Sequence, residues 1–506
     1  MENPDHINSY VILGGGTAGW MSAAILARAL EHTDAQITVI ESPHVPSVGV
    51  GEATIPSIID LLNYLNISQI DFVSQTDATF KLAIRFVDWL KQGTEYWHPF
   101  GKIGSQIDGI PFYQHWLKQQ KIDPSFEFTD FSPAVALSKQ NKFFIPDPKN
   151  PTNLSSTSHA LHFDASKVAQ YLQKYCLNKN VNIITDHLVE TDLSIEGNIK
   201  TLHLESGRQL DADFFIDCSG QKALLIGKAL RVGYDSWQDF LPVDSAVAMQ
   251  TEKLDIIPPY TLSTAAEHGW RWQIPLQNRT GNGYVYASDY CNNEEAIESL
   301  IKHACTNSKA ITDPKVIKFV TGKRKKMWHR NCLSVGLSTG FLEPLESTSI
   351  YLIMRAMLNF VQVLPSKSIC EPSIKEYNRL IDDEYNSIRD FIVLHYCVTQ
   401  RKDTKFWRMW QNLSIPDSLS EKLALFKSHG RLYKNPSDLF SQDSWYAVLE
   451  GMKVRPTSYD PLVDRSNFNL IKQSFIQTKQ ALWFNASETL NHEDYLKRIK
   501  RARMVN

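Results

Sequence analysis

Residues 10–20 read Tyr10-Val11-Ile12-Leu13-Gly14-Gly15-Gly16-Thr17-Ala18-Gly19-Trp20, and the fold class follows from them. Four apolar, β-prone residues run into a glycine-rich break. From Trp20 to Leu30 the composition is strongly helix-forming, and Gln36-Ile37-Thr38-Val39-Ile40 then reads as a second buried strand that ends in Glu41. Strand, helix and strand in this order predict a βαβ unit and a Rossmann-like α/β fold.

Within the turn the spacing is Gly14-x-Gly16-x-x-Gly19, with Thr17 and Ala18 between the last two glycines. The first glycine suits a tight turn, the second lets a pyrophosphate approach the backbone, and the third lets the helix pack on the sheet. The helix N-terminus then faces the phosphates. Glu41 lies about twenty residues beyond Gly19, where an acid binds ribose hydroxyls. A dinucleotide site is therefore expected, and the pattern alone leaves FAD and NAD open. A second segment, Phe214-Phe215-Ile216-Asp217-Cys218-Ser219-Gly220, ends a strand in a carboxylate and a glycine. Two separated nucleotide segments, with Asp217 in the second, suit a flavoprotein better than a simple NAD dehydrogenase.

The chain has 506 residues, more than one core usually serves, so two modules are expected. The reading assigns 1–60 and 156–370 to a discontinuous FAD-binding module. Residues 61–155 and 371–506 form an inserted and C-terminal, mainly helical substrate module; 61–155 reads as helix and loop. Lys and Arg number 53 against 55 for Asp and Glu, a net charge of −2. That balance argues against nucleic acid as a partner. No apolar run reaches the roughly 18 residues of a membrane span. The polar start Met1-Glu2-Asn3-Pro4-Asp5-His6 does not resemble a secretory leader. Seven cysteines, an odd number with no C-x-x-C pair, favour a reducing, cytoplasmic setting and no metal site. Twelve tryptophans are the unusual feature of the composition.

Four further segments bear on chemistry. Gly49-Val50-Gly51-Glu52-Ala53-Thr54-Ile55-Pro56 is a glycine-rich loop suited to wrapping a ring or merely turning. Lys81 heads the apolar run Leu82-Ala83-Ile84, a place where a lysine is ordinarily a solvated strand end. Trp270-Arg271-Trp272-Gln273-Ile274-Pro275 has two tryptophans that share a face if extended. Phe341-Leu342-Glu343-Pro344-Leu345-Glu346-Ser347-Thr348-Ser349-Ile350 sets two acids beside a hydroxyl run, by composition a helix N-cap. The basic run Lys323-Arg324-Lys325-Lys326 reads as a solvated surface stretch.

Together and in this order, these segments resemble the flavin-dependent halogenases of the tryptophan halogenase family. The glycine loop at 14–20, the loop at 49–56, Trp-x-Trp-x-Ile-Pro at 270–275 and the block at 341–350 all match that family's pattern. The resemblance implies an FADH2-dependent enzyme supplied by a separate flavin reductase, using dioxygen and chloride or bromide to form hypohalous acid. It implies that Lys81 holds this oxidant near an electron-rich, indole- or tryptophan-type ring and that Glu346 is the second catalytic residue. Ser347 would line the tunnel between flavin and lysine, with the halide against the amides of Thr348 and Ser349. Trp270, Trp272, Ile274 and Pro275 would wall the flavin side. Val50, Gly51, Ala53 and Leu337 join the implied flavin contacts. His98 and Phe100 would flank the ring, and Tyr446 and Glu450 would meet an amino-acid head group. A homodimer is left open. The alternative is a flavin-dependent aromatic monooxygenase that hydroxylates, which has no need of Lys81 with Glu346.

Overall fold

The strand Ser9–Leu13 is central to a six-stranded sheet ordered Trp328–His329, Cys332–Ser334, Phe214–Asp217, Ser9–Leu13, Gln36–Glu41 and Asn182–Thr185. It pairs in parallel with both neighbours, as the expected βαβ unit requires. This computed structural model describes residues 5–44, 51–368, 370–435 and 438–505, the last four of these as backbone only. The helix Thr17–Ala29 follows the glycine turn, and every residue from Gly19 to Ala27 is buried. Burial on all sides is possible because the helices Ala165–Leu177 and Ser349–Gln362 both pack against it. Its small side chains, five of them alanines, allow that close approach.

A seven-stranded sheet carries the rest of the architecture. Its order is Lys315–Lys318, Ser245–Glu252, Arg279–Tyr286, Gly269–Pro275, Tyr260–Ala265, Ala83–Val87 and Glu95–Pro99. The stretch 61–155 therefore corrects its reading as helix and loop: it contributes Thr79–Lys81, Ala83–Val87 and Glu95–Pro99 as strands. These are short and buried on both faces, so they lack the alternation that marks a half-solvated strand. One sheet thus joins strands from before and after residue 156.

The C-terminal part is helical as expected, with Glu371–Cys397, Asp417–His429, Gln442–Gly451, Phe468–Ser487 and His492–Val505 as its main helices. Gln442–Gly451 packs on the strand Glu95–Pro99. His492, at the start of the last helix, accepts the Phe80 N–H at 3.1 Å and donates to the Ile257 carbonyl at 3.0 Å. That buried ring ties the far end of the chain to the strand bearing Lys81. Among the described residues, no helix is long and apolar enough to cross a membrane.

Candidate active site

The glycine turn is built as a cradle. Gly14 has φ +125°, and a Cβ there would lie 2.3 Å from the Cys218 carbonyl oxygen. A Cβ at Gly19 would lie 1.7 Å from the Gly14 oxygen. Both are closed by neighbouring backbone. A Cβ at Gly16, by contrast, meets nothing within 4 Å. The first turn of the helix, Thr17 and Ala18 included, has no side-chain cap and no acid. Its free amides face this open side, as an anionic pyrophosphate needs. Glu41 lines the cradle from the next strand, for a Cβ at Gly15 would strike its side chain. The turn Gly336–Ser338 abuts Ala18, and Leu337 beside it is 42% exposed. The residues present fit a flavin dinucleotide.

Two of the cofactor positions need comment. Asp217 is fully buried, and its carboxylate accepts from Ser219 N, Ser219 Oγ, Leu225 N and Ile226 N at 2.6–3.0 Å. It shapes the loop beneath the cradle and offers no free oxygen to a cofactor. This corrects its expected role: a carboxylate at a buried strand end satisfies the amides that follow it. Val50 lies outside the described residues. Its neighbours Gly51–Ala53 form a strand against Ala160–Asp164, and Ala53 packs with Ile274 and Leu276. The second glycine loop and the Trp-x-Trp-x-Ile-Pro strand are thereby in contact.

Lys81 ends the strand Thr79–Lys81, where the chain passes from a three-stranded sheet into the seven-stranded one. It is completely buried, which overturns the solvated-end reading. Its Nζ donates to the Thr54 carbonyl at 3.0 Å and to Ser347 Oγ at 2.9 Å. The Phe100 ring centroid is 5.1 Å away. Among the described residues, Lys81 has no carboxylate ion-pair partner. Burial draws its pKa down to about 7, against the pull of Glu346 in the other direction.

Glu346 is also fully buried. Its Oε2 is 2.8 Å from His98 Nδ1 and its Oε1 is 2.9 Å from His395 Nε2. Burial alone would raise its pKa, but the two imidazoles hold it well below the usual carboxylate range. Ser347, next in the chain, is in the left-handed region with φ 59°, a strained conformation for a serine. Thr348 then begins the helix Ser349–Gln362, which has no side-chain cap. The block does precede a helix, but none of its hydroxyls caps it as the N-cap reading expects, and the first amides of the helix are free to meet an anion. His98 packs against Phe100 at 6.1 Å and Phe391 at 5.4 Å.

Trp270 and Trp272 lie in the strand Gly269–Pro275 with ring centroids 6.0 Å apart. Trp272 occupies the space over Gly283, where a Cβ would come within 2.0 Å of the indole. Trp270 Nε1 donates to Glu343 Oε2 at 2.8 Å. The Pro275 carbonyl accepts from Thr79 Oγ1 at 2.6 Å, joining this strand to that of Lys81.

Tyr446 and Glu450 are committed elsewhere. Glu450 accepts from Tyr113 OH at 2.6 Å and from Arg455 at 2.8 Å, while Tyr446 donates to the Gly430 carbonyl and stacks on Tyr113 at 3.9 Å. The expected head-group contacts are thus corrected to internal packing, because a buried acid must find donors within the fold. The basic run is corrected in part: Lys323 is buried and pairs with Asp382, since the middle strand of a small sheet turns alternate side chains inward. Sequence reasoning missed His395. The available signal was one polar residue in the apolar helix end Phe391-Ile392-Val393-Leu394-His395-Tyr396, where burial demands a partner.

Known proteins share this fold. The family model described as tryptophan halogenase matches residues 9–467. The tryptophan 6-halogenase SttH of Streptomyces toxytricini is 35% identical over 450 residues, covering 84% of each chain. BrvH, a flavin-dependent halogenase from Brevundimonas sp. BAL3, matches with a TM-score of 0.94 and 37% identity, covering 98% of this chain and all of that one. Xcc4156, a flavin-dependent halogenase from Xanthomonas campestris, matches with the same TM-score at 35% identity, covering 98% of both chains. The chain therefore belongs to the tryptophan halogenase family, enzymes that use FADH2 from a separate reductase and a halide.

Proposed function

We propose that this chain halogenates an indole-type ring, with Lys81 holding the oxidant and Glu346 facing the ring. Reduced flavin, with dioxygen and halide, supplies the hypohalous acid. The buried amine is the observation that carries the reading: Lys81 Nζ is completely buried, bonded to the Thr54 carbonyl and Ser347 Oγ with no acid among the described residues bonded to it, and burial draws its pKa down to about 7. As the free amine it takes up the halogen and releases water; as the ammonium it donates a hydrogen bond to hypohalous acid. Either way an otherwise diffusible oxidant is held over one carbon. Glu346, kept ionised, faces the cationic ring that forms when the halogen adds. Ser347 bonds the lysine and lines its approach, and the amides at Thr348 and Ser349 suit the halide.

His98 and Phe100 supply flat walls for the ring. With Glu450 and Tyr446 internally bonded, recognition rests on the ring rather than on an amino-acid head, and a neutral indole is the substrate class. Seven free thiols support a reducing, cytoplasmic setting. Mass spectrometry of products from indole and tryptophan offered in competition tests the reading. Halogenated indole in excess supports it; preferential halogenation of tryptophan contradicts the substrate class.

A further inference from the structure

Glu346 has two oxygens, and different elements hold each. His98, on the strand Glu95–Pro99, reaches Oε2 and is also one of the walls offered to the ring. Oε1 faces the helix Glu371–Cys397, where His395 lies behind the glutamate. His395 is fully buried, and its Nδ1 is 2.7 Å from Tyr96 OH. A phenol hydroxyl that donates to Nδ1 leaves the imidazole proton on Nε2, the atom 2.9 Å from Glu346 Oε1. The order is therefore directional: Tyr96 O–H to Nδ1, and the Nε2 proton beside the carboxylate at ion-pair distance, off the line of a hydrogen bond, with no other hydrogen-bond partner among the described residues on Nε2 or on Oε1.

The ring plane is fixed as well. Phe86 stacks on Tyr96 at 4.7 Å and on His395 at 4.7 Å, while Trp89 and Phe391 meet the imidazole by their edges. Tyr96 is held from behind, since a Cβ on Gly451 would strike its ring. The groups facing His395 are Glu346 from its turn and Tyr96 and His98 from their strand; Phe86, Trp89 and Phe391 carry no charge. The turn bearing Glu346 passes directly into the strained backbone of Ser347, so the carboxylate has a fixed direction only if something outside the turn holds it.

We infer that His395 is the positioning residue for Glu346 and that Tyr96 positions His395 by fixing its tautomer. This inference rests on the role of Glu346 proposed above. It gives the reaction a buried Tyr–His–Glu order in which only the last member faces the substrate, the arrangement by which outer groups tune an acid or base they do not replace.

The test uses the FAD-loaded enzyme with a flavin reductase, bromide and indole. His395→Phe is expected to lower kcat about 10- to 100-fold while KM for indole and FAD affinity stay unchanged. His395→Gln, whose amide N–H can reach Glu346, is expected to recover most of that loss. On a Glu346→Gln background His395→Phe should cost little more, because the group it serves is already gone. An equal loss on both backgrounds overturns the inference, as does a His395→Phe enzyme with wild-type kcat. If His395→Phe does not fold, the same cycle with Tyr96→Phe, which removes one hydroxyl, decides between those outcomes. A Glu346→Gln enzyme with full activity overturns the role of Glu346 itself, and the inference with it.

Discussion

Glu343 and Glu346 lie three residues apart in one turn, both fully buried, and adjacent residues of one helix, Tyr396 and His395, contact them. Tyr396 OH donates to Glu343 Oε2 at 2.8 Å, and His395 Nε2 is 2.9 Å from Glu346 Oε1. Burial pushes Glu343 up to about 7, with only two neutral donors to offset it. Two imidazoles draw Glu346 down. Two carboxyls whose surroundings separate their proton affinities in this way suit two roles: Glu343 holds the Trp270 indole, and Glu346 is the charge proposed to face the ring.

Glu343→Gln is expected to fold and to bind FAD, because the amide carbonyl still accepts from Trp270. The sign of its pH effect follows from the displacement. The unfolded carboxyl loses its proton near its ordinary 4.5 and the folded one near 7. The stability of the protonated form is fully present below 4.5 and is lost as pH rises through 7. Glu343→Gln lacks that loss, so thermal melts of variant and wild type should diverge in favour of the variant between pH 5 and 8, by on the order of 1–3 kcal/mol.

Lys81→Met should abolish halogenation and raise stability together. The folded amine gives up its proton near 7 and the unfolded one near 10.5, so between these values the unfolded chain binds more protons and wild-type stability rises with pH. Each tenfold change in proton affinity is about 1.4 kcal/mol, and the two hydrogen bonds lost are about 1 kcal/mol each. A net gain of order 2 kcal/mol at pH 7, shrinking towards pH 10, is expected in denaturant titrations monitored by fluorescence.

The cradle makes a paired prediction. Gly16→Val adds a side chain where nothing lies within 4 Å, in extended backbone that valine accepts, so the fold should survive and FAD affinity should fall. Gly19→Ala drives a methyl into the Gly14 carbonyl, so expression and melting temperature should fall before binding can be measured. Circular dichroism with FAD titration separates the two.

Glu450→Ala should leave indole halogenation intact. It breaks the bonds to Tyr113 and Arg455, at a cost of roughly 2 kcal/mol, the Arg455 side chain being partly exposed already. An unchanged ratio of indole to tryptophan turnover is expected.

Much of this was legible in the sequence and some was not, for physical reasons. The βαβ unit from Ser9 to Glu41 shows through because alternation of apolar run, glycine turn and helix composition is local. Lys81 and Glu346 are legible only through family resemblance, since a lone lysine beside an apolar run is ordinarily solvated. Thr79–Lys81 and Glu95–Pro99 were missed because strands buried on both faces carry no period of two. His395 shows locally only as a polar residue in an apolar helix end; the residue that explains it lies in another turn and is brought near by packing. Asp217 shows the opposite case, in which a carboxylate in a familiar place serves the backbone instead.

The most direct test of the account is mass spectrometry of the products formed from indole by wild-type and Lys81→Ala enzymes, each supplied with FAD, a flavin reductase, NADH, oxygen and bromide. The account predicts bromoindole, with its paired isotope peaks, from the wild type, and none from Lys81→Ala at equal FAD loading. An oxygenated indole without halogen from the wild type, or undiminished bromoindole from Lys81→Ala, would contradict it.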